Sequence, residues 1–357
     1  MKKFINTPQT YVRESLEGMA LAYPERVRIN VDPIFAYRAD APVEGKVAVV
    51  SGGGSGHEPT HAGFVGVGML HAACPGDVFV SPTTEQIIAA IKKVNGGAGI
   101  LNVVKCYWDD MEVFARGAEW AFTQGIPCAN ILIDDDVAVS QSAYSHGRRG
   151  TGTTVLAEKI CGAAAERWYD LQKLADLCRR VNVNGRSFGV ALTPCTVPLK
   201  GVPTFEISED EIEFGVGIHG EPGRERMKIK DADVLAEKMA LEILNDPAYR
   251  RTVQEWDWKK GAWVDIELTS EPLRPGDRIL AFVNSMGGTP IPELYVMYRK
   301  LVEVCEAKGL KVERRLVGTY ITAVEMRGAS FTLLRLDDEM VTLWDAPVRT
   351  PGMRWGI

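Results

Sequence analysis

No pair of cysteines in this sequence forms CxxC. The seven cysteines (Cys74, Cys106, Cys128, Cys161, Cys178, Cys195 and Cys305) are scattered and odd in number. That excludes a disulfide framework or a zinc knuckle and predicts reduced thiols in a reducing compartment. No apolar stretch follows the two lysines of MKKFINTPQTYVRESLEG, and no apolar run approaches ~20 residues. The sequence therefore predicts neither a signal peptide nor a membrane span, and a cytoplasmic location. There is no excess of positive charge: the net charge is -6, which leaves no basic footprint for nucleic acid. No glycine-rich stretch carries the lysine of a phosphate-binding P-loop. No internal repeat or low-complexity tract stands out.

What remains is the composition of an ordinary globular protein, with 46% apolar and 25% charged residues. A chain of 357 residues exceeds the size at which one core stops growing and predicts two domains. The spacing predicts strands at KVAVV (46–50), GILNVVK (99–105) and CANILID (128–134). Between them, SPTTEQIIAAIKKVNGG predicts a helix with Ser81 as its cap and Ile87, Ile88, Ile91 and Val94 on one face. EVFARGAEWAFTQG (112–125) predicts another, and a long helical region runs through LAEKICGAAAERWYDLQKLADLCRRV. Alternating strands and helices with short loops imply an α/β fold of two α/β domains, the first a three-layer domain with a mainly parallel sheet. The polar bend NVNGR (182–186) places the boundary, giving domains at 1–185 and 186–357. In the second, strands are expected at EIEFGVGI and RILAFVN, and helices at ADVLAEKMALEIL and PELYVMYRKLVEVCEAKG.

Residues 51–63, SGGGSGHEPTHAG, satisfy the zinc-protease pattern H-E-x-x-H through His57 and His61. That pattern needs both histidines on one helical face. Pro59 between them would cost a helix interior ~3 kcal/mol, so a zinc site is rejected and Pro59 is expected to open a helix. Ser51–Gly56 is left as a flexible strand-to-helix loop whose backbone N–H groups can approach a small polar ligand. Gly215-Val-Gly217-Ile-His219-Gly220 fits the dinucleotide fingerprint, but Glu221-Pro222-Gly223 follows it as a turn, so NAD binding is rejected as well.

Ligands of open α/β sheets bind beyond the carboxyl ends of the strands. Three such ends carry polar groups: Ser51–His57, Lys105 to Asp110, and Asp134–Asp136. A histidine, a lysine and carboxylates gathered at one sheet edge suit acid–base chemistry on a small polar molecule. A solvated ion pair between Lys105 and Asp109 or Asp110 is the bland alternative. For the aspartate run a structural role, capping a helix or pairing with Arg148 and Arg149, is preferred over Mg²⁺ binding.

The segments ADAPVEGKVAVVSGGGSGHEPTHAGFVGVGML, HAACPGDVF, IDDDVAV, GRRGTGTT, EFGVGIHGEPG and LWDAPV occur in this order along the whole chain. In them the sequence resembles the dihydroxyacetone-binding K subunits of dihydroxyacetone kinases. The resemblance implies that His219 holds the ketone carbon of a small ketose covalently, as a hemiaminal, within the second domain. It implies that Ser51–Gly56, including Gly53, lines the pocket and that Gly54 touches the substrate through its backbone. It implies that Lys105 binds substrate, and that His57 and Asp110 are the acid–base pair, with Asp110 the base.

The resemblance further implies no cofactor or metal on this chain. ADP and Mg²⁺ belong to a separate L subunit, which an M subunit rephosphorylates as part of the sugar phosphotransferase pathway. The absence of a fused helical nucleotide domain by residue 357 agrees with that subunit type. A homodimer with one L subunit over each site is expected. Two readings stay open beside it: a regulatory paralogue that senses dihydroxyacetone without phosphorylating it, and a kinase subunit for a four-carbon ketose. The second is raised by KCYWDD, where the family commonly reads K-N-Y-x-G-D, so that Cys106 and Asp109 replace asparagine and glycine. TPCTVP, with Pro194 in place of a smaller residue, is a further departure.

Overall fold

A computed structural model describes residues 2–140, 145 and 147–356. Two six-stranded sheets organise it. The first contains β1 (Val27–Val31), β2 (Ile34–Arg38), β3 (Ala48–Ser55), β4 (Ala72–Val78), β5 (Ile100–Lys105) and β6 (Cys128–Ile133), in the order β1-β2-β4-β3-β5-β6. Strands β4, β3, β5 and β6 run parallel, and the β1–β2 hairpin adds antiparallel at the β4 edge. β3, β5 and β6 are buried at every residue, which is why β5 and β6 read as apolar runs without alternation.

Helices cover both faces. α1 (Tyr11–Ala22) buries Leu16. α2 (Thr84–Val94) and α3 (Trp108–Thr123) pack Ile87, Ile91, Phe114 and Ala118 on one side of the sheet. α4 (Thr153–Glu166) and α5 (Leu171–Asn184) pack Ile160, Leu174 and Val181 on the other. Burying each of the larger aliphatic side chains contributes roughly 1.5–3 kcal/mol. α2 begins two residues later than its sequence suggests. Thr83 caps it in a capping box with Gln86, because the Ser81 hydroxyl is engaged elsewhere, on Asp110. The long helical region is two helices, parted at Trp168, where φ is +62°.

The second sheet holds β7 (Gly185–Ala191), β8 (Glu211–Phe214), β9 (Glu225–Lys228), β12 (Arg278–Ser285), β13 (Lys311–Gly318) and β14 (Gly328–Arg335); β10 (Tyr249–Asp257) and β11 (Ala262–Ser270) form a separate hairpin. Its order is β13-β12-β14-β7-β8-β9, and only β12–β13 is parallel. α6 (Ala232–Leu244) and α7 (Ile291–Ala307) bury Leu235, Met239, Leu294 and Leu301 against it.

Residues 182–186 do not form a bend: α5 runs to Asn184 and β7 starts at Gly185. Asn182 is polar for an internal reason, since its amide donates to Asp134 Oδ1 at 2.7 Å. The two halves are laced together. The β10–β11 hairpin inserts Val253 and Trp256 into the core of the first sheet. α8 (Asp338–Trp344) joins the core that α4 covers, and Gly352 N donates to Gly63 O at 2.7 Å.

Candidate functional site

The glycine stretch is strand, not loop: β3 continues through Ser55. Missing side chains make this possible. A Cβ on Gly52 would stand 2.6 Å from Cys74 O, and one on Gly54 2.8 Å from the Phe79 backbone. Gly53 has φ +152°, and a Cβ there would overlap Lys105 Nζ. No helix follows Pro59; the chain makes one 3₁₀ turn at Ala62–Phe64. His57 and His61 face different partners, so they do not form the zinc pair that their spacing suggests.

A cleft of about 880 Å³ opens beyond β3 and β5, walled by Gly54, Phe79, Ser81, Tyr107, Asp110 and His219 among others. His219 sits on a turn closed by Gly217 N to Glu221 O at 3.1 Å, with no helix after Gly220. Its ring is oriented by Glu221. The backbone N of His219 donates to Glu221 Oε2 and Nδ1 donates to Oε1, both at 2.8 Å. Burial opposes the charge on Glu221, but His219 and Arg149 outweigh it and bring the carboxyl down to about 2. An ionised Glu221 fixes the Nδ1–H form and leaves Nε2 to face the cleft.

That Nε2 lies 3.0 Å from His57 Nε2. His57 Nδ1 donates to Thr322 O at 2.7 Å, because a carbonyl can only accept. Both rings thus spend Nδ1–H elsewhere, and a hydrogen bond between the two Nε2 atoms requires one proton shared by the pair. Burial, then His219, then Lys105 hold the His57 pKa well below its ordinary value. The His57 ring stacks on Phe79 at 5.2 Å. Phe79 reaches that place with φ +62°, an unfavourable conformation for a bulky residue, held by Phe79 N to Ser55 O at 2.9 Å.

Asp110 lies in the first turn of α3, which starts at Trp108, earlier than its periodicity shows. The helix N-terminus favours a carboxylate there. Asp110 accepts from Ser81 Oγ and pairs with Lys105 Nζ at 3.2 Å. This pair is buried rather than a solvated surface pair.

The residues implied by resemblance therefore fall at different depths. Gly54, Asp110 and His219 are on the cleft wall. His57 backs His219. Lys105 lies one step behind, on Gly52 O at 3.0 Å, His61 Nε2 at 2.8 Å and Asp110, with Gly53 making room for it. Ser51 is lower still, its hydroxyl donating to Val103 O at 2.7 Å. Sequence reasoning gave Glu221, Phe79 and Ser81 no part in the site: it read Ser81 as a helix cap and Glu221 as part of a turn. Only Glu221 had a local signal, two residues beyond the histidine in the HGEPG turn. Tyr107 also walls the cleft; its hydroxyl is buried and finds no partner among the described residues.

The Asp134–Asp136 run is structural. Asp134 binds Arg251 and Asn182, and Asp136 binds Arg149 at 2.7 Å. Asp135 accepts from Thr151 N and Thr153 N at the start of α4. Among the described residues, no group of three or more His, Cys, Asp or Glu is placed to hold a metal ion.

The model of the Dak1 domain matches residues 17–352. The chain belongs to the Dak1 family. It is 47% identical over 356 residues to the dihydroxyacetone-binding subunit DhaK of the PEP-dependent dihydroxyacetone kinase of Escherichia coli, covering all of both chains. Among solved structures, the dihydroxyacetone kinase of C. freundii superposes with a TM-score of 0.83 at 29% identity, over 99% of this chain and 60% of that one. The dihydroxyacetone kinase operon co-activator DhaQ superposes with a TM-score of 0.82 at 30% identity, over 95% and 96%. The Dak1 fold is thus shared by a kinase and a co-activator, and site chemistry must separate the two.

Proposed function

We propose that this chain is the substrate-binding subunit of a phosphotransferase-dependent dihydroxyacetone kinase and holds its ketose as a hemiaminal on His219. The carrying observation is the orientation of His219, with Nδ1–H tied to Glu221 and Nε2 turned to the cleft beside His57. In the adduct step Nε2 forms a bond to the ketone carbon and the carbonyl π pair moves to oxygen. The shared proton sits on His57 as His219 Nε2 attacks and goes to that oxygen, giving a hemiaminal hydroxyl and a His219 ring that keeps Nδ1–H and the positive charge beside ionised Glu221. Glycerol has no carbonyl to attack and is excluded. The fixed substrate presents a hydroxyl to Asp110, which takes its proton as oxygen attacks the phosphoryl group.

The donor nucleotide, ADP with Mg²⁺, is assigned to a separate L subunit, itself rephosphorylated by an M subunit. Exposed Val80, Trp108 and Val202 at the cleft mouth offer that subunit an apolar rim. A homodimer and a cytoplasmic location complete the reading; no helix of the described residues is long and apolar enough to cross a membrane. The similarity to DhaQ supports a second reading, a sensor that binds dihydroxyacetone without phosphorylating it. Such a sensor has no use for Asp110 poised over the same cleft. A four-carbon ketose remains the alternative substrate, since Trp108 and Asp109 both line the cleft.

Intact-mass measurement with dihydroxyacetone, beside turnover with L and M subunits, tests the proposal. A ketose adduct in the wild type that is lost in His219→Ala, together with turnover, is expected. Adduct without turnover would establish the sensor reading; an adduct persisting in His219→Ala would refute the covalent role.

A further inference from the structure

Lys105 is fully buried and makes three contacts, with Gly52 O, His61 Nε2 and Asp110. An ammonium has three N–H donors and no acceptor, so the three contacts use all of them. It follows that His61 Nε2 must accept and that the proton of the neutral ring is on Nδ1. Nδ1 lies 2.5 Å from Glu158 Oε1 and 3.0 Å from Ser51 Oγ. The Ser51 hydroxyl proton is already given to Val103 O, so Ser51 can only accept from the ring. The Lys105 and Ser51 contacts both demand this tautomer, and Glu158 Oε1 then accepts from Nδ1 with the carboxyl's own proton on Oε2. Burial, then Lys105, then His57 keep this ring neutral, and burial pushes the Glu158 carboxyl up to about 8, so its Oε1 acts as an uncharged acceptor near neutral pH.

We propose that His61 and Glu158 are positioning residues for phosphoryl transfer, holding the Lys105 ammonium against Asp110. The proposal rests on the reading of Asp110 as the base. Neither residue touches the substrate; they act through Lys105. Without an acceptor at His61 Nε2, one N–H of the buried Lys105 ammonium is left unpaired in a dry interior. The lysine then reorients or loses its proton, and Asp110 loses its counter-charge. The His219–Glu221 pair has its own hydrogen bonds and is untouched, so adduct formation and transfer should separate.

The test uses the full chain with its partner subunits. His61→Leu should lower kcat about 10²-fold, while KM and the His219 adduct stay within about threefold. His61→Gln, whose amide oxygen reaches the Nε2 position, should recover at least about tenfold of that loss. Glu158→Gln, whose amide oxygen can still accept from Nδ1, should lose less kcat than Glu158→Leu. A kcat for His61→Leu within threefold of wild type, or no rescue by His61→Gln, would overturn the proposal. A measurement on unaltered protein guards against misfolded variants: nitrogen-15 shifts of the imidazoles should show His61 as the neutral Nδ1–H tautomer, and an Nε2–H or charged ring would also overturn it. Failure of the underlying reading looks different, since the wild type itself would then form no adduct or turn over no substrate.

Discussion

Strands β5 and β6 are neighbours, and carboxylates follow each, in the first turn of α3 after β5 and directly after β6, yet the two sets do different things. At the end of β6 every aspartate is committed. Asp134 meets a guanidinium and an amide, Asp135 two backbone N–H groups and two hydroxyls, and Asp136 a guanidinium and Ala138 N. Beyond β5, Asp110 has a hydroxyl and one ammonium, and one side of it forms the cleft wall. A carboxylate saturated with donors is a fixed anion that binds parts of the fold together. One with spare acceptor capacity on a cleft can take up a proton. In sequence the run of three is the more conspicuous of the two, so acidic density is a poor guide to chemistry.

The contrast is sharpened most by Asp110→Asn. It should cut phosphoryl transfer by about 10²–10⁴-fold and leave the adduct intact, because the amide keeps the shape but cannot accept the proton. Steady-state turnover beside intact-mass spectrometry reads both, and near-normal turnover would move the base to Asp109 or His57. The reverse experiment is Asp134→Ala, which strands the Arg251 guanidinium. It should cost about 3–5 kcal/mol in urea unfolding while kcat changes by less than about twofold. A large fall in kcat with unchanged stability would erase the distinction between the two strand ends.

Burial raises the pKa of the Asp134 and Asp136 carboxyls, against the pull of Arg251 and Arg149, and it raises that of Glu158, which has no arginine partner among the described residues, from 4.5 to about 8. The native state binds its proton more tightly than the unfolded chain does. Its stabilising contribution is complete below pH about 4.5 and is lost as pH rises through about 8. Glu158→Gln should therefore flatten the fall in melting temperature between about pH 6 and 9. An unchanged slope would show that Glu158 does not titrate in that window. The smallest effect is expected at the cleft rim. Trp108→Ala should change the kcat/KM ratio of erythrulose to dihydroxyacetone by about threefold to tenfold, within what pocket shape alone achieves. An identical ratio would remove Trp108 from substrate choice.

Much of the scaffold can be read from residue spacing, and the failures have physical causes. β5, β6, α6 and α7 stand out because burial imposes continuous or periodic apolar patterns on them. The β1–β2 hairpin does not, since its exposure is mixed along its length, whereas β11 carries a strand signal missing from the expected elements, the alternation of Val264, Ile266 and Leu268 with Asp265, Glu267 and Thr269. SGGGS reads as a loop because glycine disfavours strands in isolation; only the close approach of Cys74, Phe79 and Lys105 explains it. At the candidate site, the resemblance points to His57, Asp110 and His219, which lie together at the cleft. What sequence could not supply is depth, because which residue stands in front of which is fixed by contacts from tens to more than two hundred positions apart. His61 met Glu158 that way, and the zinc-like spacing pointed to the wrong partner for it.

The longest of those contacts carries a consequence for how the molecule comes into being. His57 is held by the carbonyl of Thr322, 265 positions further along, and Val324 N reaches back to Gly56 O at 2.7 Å. A nascent chain emerging from the ribosome can build β3 to β6 early, but it cannot orient this imidazole until residue 322 has been added. The first sheet must wait with its reactive edge unfinished. Contacts of this sequence separation raise the contact order and slow the search for the native state. A half-made chain consequently has its glycine strand but not the completed His57–His219 arrangement.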